Sequence, residues 1–100
     1  MDEINKYIEQ IKKLCAENQV ASLFAFGSVT KNKLTNQSDL DLLVDIPDND
    51  PISYTEKYYN LKTQLAELFN RHIDLLETRS VKNPFLKASI DQSKVLIYGK

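Results

Sequence analysis

The chain has no tryptophan, one cysteine, one histidine, two glycines and three prolines among its 100 residues. A lone cysteine, Cys15, closes no internal disulfide. It falls on the inward stripe of a helix and reads as a small core residue. A reducing cytoplasm is the expected compartment. Uninterrupted apolar runs are only a few residues long, such as Leu23 to Phe26 and Leu42 to Val44, whereas a membrane span needs about 20. The start, Met-Asp-Glu-Ile-Asn-Lys, carries acids where a signal peptide carries bases. A basic surplus is also missing: 13 basic against 14 acidic residues leave a formal charge of −1. That balance argues against a nucleic-acid coat and against stable nucleic-acid binding. Any phosphate chemistry must therefore come from a local site.

What is present suits one domain over residues 1–100. The hydrophobic share of 42% is ordinary for a globular chain, and no repeat, low-complexity stretch or linker interrupts it. Ile4, Tyr7, Ile8, Ile11, Leu14 and Cys15 form one stripe of a helix over residues 2–18. Residues 21–26 read as a buried strand ended by Gly27, and residues 28–38 as a polar turn. A second strand covers 39–46, and the Pro47 to Pro51 segment is a loop. Ser53 and Glu56 have capping-box spacing ahead of a helix bearing Tyr54, Tyr58, Leu61, Leu65, Leu68 and Phe69. At that spacing Tyr54 and Tyr58 are packing residues. A third strand covers 72–77. A helix over 84–92 is capped by Asn83, and a short strand or packed tail covers 94–98. Three short strands with intervening helices give an α/β or α+β class.

The chemistry gathers around the second strand. Asp39 and Asp41 are two apart, so they point to one face while Leu40, Leu42 and Val44 point into the core. Carboxylates forced side by side repel, and such a pair is held by a cation or shares a proton. Hard oxygen donors with no thiol or histidine between them suit magnesium or manganese. An EF-hand reading of residues 39–50 fails, because Val44 stands where the loop needs glycine and Asp50 where it needs glutamate. Asp45, Asp48 and Asp50 read as loop charge. Asp74, on the third strand, joins Asp39 and Asp41 if the two strands are neighbours, and three carboxylates can hold two ions. His72, beside Arg71 at the strand start, reads as a surface residue. Gly27 lets a phosphate approach the backbone, Ser28 adds a hydroxyl, and Lys31 and Lys33 add local positive charge.

Gly27-Ser28, ten residues, then Asp39-Leu40-Asp41 resembles the signature of the nucleotidyltransferase superfamily related to DNA polymerase β. At ordinary residue usage that spacing arises by chance in roughly one such chain in a thousand. The stretch LFAFGSVTKNKLTNQSDLDLLVDI is similar to the smallest members, the minimal nucleotidyltransferase (MNT) proteins, many of them antitoxins paired with HEPN-domain toxins. The likeness continues through NLKTQLAELFNRHIDLLE, with Asp74 at the third carboxylate position, and through NPFLKASIDQSKVLIYG. Where the family often reads Gly-Ser-Arg-Ala-Arg-Gly, this chain has Val29, Lys31 and Asn32 in place of the two arginines and the final glycine. Val29 cannot touch phosphate, Lys31 keeps a charge without the bidentate fork, and Asn32 tolerates a left-handed backbone.

The resemblance implies a small mixed β-sheet with helices packed on it. It implies transfer of a nucleoside monophosphate, AMP from ATP, to a hydroxyl of a HEPN partner. Asp39, Asp41 and Asp74 would be the catalytic and metal-holding residues for two Mg2+ or Mn2+ ions. Gly27, Ser28, Lys31 and Ser38 would bind the nucleotide. The competing reading is an antitoxin that neutralises its partner by contact alone, favoured by Val29. Small-molecule transfer is disfavoured, because such relatives carry a second, substrate-holding domain; a homodimer would be one way to supply that missing wall.

Overall fold

The computed structural model describes residues 1–35 and 37–99. Asn36, inside the expected polar turn, and Lys100 lie outside the described residues. The order is α1 (Asp2–Lys6), α2 (Ile8–Glu17), β1 (Ser22–Phe26), a 3-10 turn (Gly27–Lys31), β2 (Leu40–Asp45), α3 (Pro51–Phe69) and β3 (Ile73–Glu77). A second 3-10 turn (Thr78–Ser80), α4 (Pro84–Ser93) and β4 (Val95–Gly99) follow. The strands form one mixed sheet in the order β3-β2-β1-β4. β1 runs antiparallel to β2 and β4, and β2 runs parallel to β3.

Period-two alternation divides the sheet into two faces. Leu23, Ala25, Leu40, Leu42, Val44, Ile73 and Leu75 face the main core, where they meet Ile11 and Cys15 of α2 and Leu61 and Leu65 of α3. Cys15 is fully buried, and burial pushes its thiol up to about 12, as a core residue requires. The other face carries Phe24, Phe26, Leu43 and Leu76, and α4 covers it with Ile90. Asp41 and Asp74 alternate with Leu42 and Leu75, so they belong to this second, thinly covered face.

Two expectations need correction. The first helix is two helices, broken at Tyr7 (φ −117°, ψ 19°), whose ring packs edge-on against Phe69 at 5.3 Å. The hydrophobic spacing runs unbroken through the kink, so periodicity alone could not reveal it. The third helix starts at Pro51, and its cap is Asp50, whose carboxylate accepts from the Ile52 N–H at 3.2 Å. Ser53 instead donates to Asp48. Asp followed by Pro at the first helical position is the stronger start, since proline presets φ and lacks an amide that would go unpaired. Asn83 caps α4 as expected, accepting from Phe85 and Leu86.

Candidate active site

The parallel pairing of β2 and β3 puts Asp41 opposite Asp74 and Leu40 opposite Ile73. The two strands are therefore neighbours, as a shared carboxylate site requires. Asp41 is half-buried, and its carboxyl is pushed up to about 6. Burial is the largest cause, followed by the charge of Asp74, a hydrogen bond shared with the Asp74 carboxyl, and the charge of Asp39. The crowding of negative charge around Asp41 is what either a bound cation or a shared proton would relieve.

Asp39 stands one residue outside β2 and is exposed. Its Oδ2 lies 3.2 Å from Nδ1 of His72, which is exposed as expected but has a partner that the sequence did not reveal. Among the described residues, no group of three or more His, Cys, Asp and Glu side chains converges to hold a metal ion. Asp41 and Asp74 face each other, while Asp39 is engaged by His72. The donor set still fits a hard divalent cation. It consists of carboxylate oxygens only, and the excess negative charge around Asp41 is what such an ion neutralises.

Gly27 completes the wall beside Asp41. Its φ is +75°, and a Cβ there would stand 2.6 Å from Asp41 Oδ2. Only glycine accommodates both that backbone and that carboxylate. The turn after it is a 3-10 helix closed by Asn32 in the left-handed conformation (φ 55°, ψ 34°), as the substitution for glycine anticipates. Val29 is buried in the main core, so the residue standing where the family has an arginine anchors the turn from beneath. The Gly27 N–H donates to Ser93 Oγ of α4 at 3.3 Å, and Thr30 donates to the Gly27 carbonyl at 2.7 Å. Ser93 lies 66 residues from Gly27, and no local signal pointed to it.

Ser28 is half-buried and Lys31 is exposed at the end of the turn. The Ser38 hydroxyl pairs with Thr35, accepting from its N–H at 3.2 Å, so it shapes the loop entering Asp39. Arg71 donates to the carbonyls of Thr35 and Ser38, each at 2.9 Å, and ties that loop to the start of β3. Tyr54 is buried, and Tyr58 donates to the Leu75 carbonyl at 2.6 Å, in keeping with packing roles. No helix among the described residues is long and apolar enough to cross a membrane.

The family model described as "Polymerase beta, Nucleotidyltransferase" matches residues 9–100. The chain belongs to the polymerase β-like nucleotidyltransferase family. Among curated relatives of this nucleotidyltransferase, a Methanocaldococcus jannaschii protein provisionally named protein adenylyltransferase MJ0126 is 34% identical over 98 residues, 97% of each chain. Among solved structures, one described as a minimal nucleotidyltransferase matches 94% of this chain and 92% of its own, with TM-score 0.77 and 24% identity. A toxin–antitoxin crystallised with AMP-PNP matches 93% of this chain and 73% of its own (TM-score 0.72, 25% identity). A Shewanella oneidensis tri-AMPylated HEPN toxin in complex with MNT antitoxin matches 96% of this chain and 72% of that one (TM-score 0.66, 23% identity). The fold is that of the minimal nucleotidyltransferases.

Proposed function

We propose that this domain transfers AMP from ATP to a hydroxyl of a protein partner, and that the partner is a HEPN toxin silenced by the modification. The observation that carries this reading is the Asp41–Asp74 register pair with the Gly27 α-carbon packed against the Asp41 carboxylate. The names of the relatives support the transferred group and the toxin–antitoxin context. Asp39, Asp41 and Asp74 would hold two Mg2+ or Mn2+ ions. Bound there, the ions supply Lewis-acid chemistry, acidifying the acceptor hydroxyl and neutralising the triphosphate and departing pyrophosphate.

The chain's own residues do the rest. Gly27 and Ser28 orient the β- and γ-phosphates, with Lys31 and Ser38 on the nucleotide side. The acceptor oxygen forms a bond to the α-phosphorus, the bond to the bridging oxygen breaks, and pyrophosphate leaves with that electron pair. Asp74 helps take the hydroxyl proton. The adjacent reading frame supplies the test acceptor if it encodes a small helical HEPN-type protein. With α-labelled ATP, wild type is expected to label that protein and an Asp39→Asn, Asp41→Asn double variant is not. Equal labelling would sink the assignment.

A second reading, neutralisation by contact alone, is favoured by Val29 and by the Ser93 hydroxyl occupying the Gly27 amide. It predicts that the double variant still neutralises the partner in cells.

A further inference from the structure

Four polar side chains stand in a two-by-two array at the mouth of the sheet. Asp41 is paired with Asp74 by strand register, and Asp39 stands beside His72 one step before each strand begins. The Leu40 N–H donates to the His72 carbonyl at 3.2 Å, which fixes the His72 backbone against β2. Among the described residues, Asp39 shows no such backbone anchor of its own. It precedes β2, and its side chain is 54% exposed. An unrestrained carboxylate at that position would sample several rotamers and lose that freedom on taking up a cation. The neighbouring cation, Arg71, is committed to the Thr35 and Ser38 carbonyls. Arg71 therefore clamps the loop leading into Asp39, and His72 meets the Asp39 side chain.

We propose that His72 is a positioning residue for the metal centre, holding one oxygen of Asp39 so that the carboxylate stays on the face of Asp41 and Asp74 with its other oxygen left for the cation. The proposal rests on the metal-dependent reading above. Outer partners of metal ligands typically contribute ten- to a hundredfold in affinity. This pair is more than half exposed on both sides, so the lower end, about tenfold, is the expected size.

Mn2+ alone is the probe, titrated into the full chain without nucleotide and followed by the paramagnetic resonance signal of free Mn2+. His72→Ala is expected to weaken Mn2+ binding about tenfold with the thermal midpoint little changed. His72→Asn, whose amide nitrogen sits about where Nδ1 does, is expected to recover most of the loss. In an Asp39→Asn background the His72→Ala effect should disappear. Unchanged or tighter Mn2+ binding in His72→Ala would overturn the proposal, the latter because the imidazole would then compete with the ion. So would absence of rescue by asparagine, or an effect that persists without Asp39. Asp41→Asn separates the two levels: if it binds Mn2+ as wild type does, the metal reading fails and takes this proposal with it. If it abolishes binding while His72→Ala does nothing, only the role of His72 fails.

Discussion

Asp41 ionises less readily in the folded chain than in the unfolded one, because burial and the nearby Asp74 and Asp39 carboxylates disfavour its charge. Its folded value of about 6 stands above an unfolded value of about 3.9. The group therefore contributes stability that is fully present below the unfolded value and is lost as pH rises through the folded one. In the metal-free protein at pH 7, Asp41→Asn is expected to raise stability by roughly 1 kcal/mol after discounting for solvent screening. Thermal unfolding should show the gap closing as pH falls toward about 4. The same variant should lose the proposed AMP transfer by roughly a hundredfold or more. Gly27→Ala should act in the opposite sense on stability, costing roughly 1–2 kcal/mol in urea unfolding for its positive φ alone, with further loss from the crowding of Asp41. These residues were legible in the sequence because strand alternation and the Gly-Ser spacing are local signals. His72 and Ser93 were not. Each acts through a partner about 30 or more positions away, and neither carries a spacing pattern.

The helical segments were legible in order, less so in number and in their ends. Apolar spacing reports which side of a helix is buried, and it continues undisturbed through the break at Tyr7. At α3, two start signals compete within four residues, and Asp50-Pro51 prevails over Ser53-Glu56. Asp50→Ala should therefore cost about 1 kcal/mol in urea unfolding, whereas Ser53→Ala should act only through its bond to Asp48. Asp48 itself accepts from Lys57 at 2.7 Å and from Ser53. The Lys57 and Ser53 bonds, with the Asp50 amide, hold its carboxyl well below the usual range. A depressed carboxylate stabilises the fold above its unfolded value and loses that contribution as the pH falls through the folded one. Asp48→Asn should thus be less stable than wild type at neutral pH, with the difference shrinking below about pH 4.

For the whole molecule, the class and element order could be read from the chain, but the strand order could not. Alternation assigns each residue a face without saying which strand lies beside it. The pairing of β2 with β3 is a parallel crossover spanning α3, and β4 returns to the far side of β1. Such contacts are settled by packing of the whole core. Leu65→Ala, at a fully buried position, should cost about 2–5 kcal/mol, a large part of the ~5–15 kcal/mol of a typical domain. Phe85→Ala, 85% exposed, should change urea stability by less than about 0.5 kcal/mol. The bond between the Gly27 amide and Ser93 bears on the order in which the protein becomes competent. The β2–β3 pairing closes a shorter stretch of chain than the Gly27–Ser93 bond does, so its loop-closure cost is smaller and it does not depend on the α4 anchor. The turn beside the Asp41 carboxylate gains that anchor only once α4 is docked on the sheet.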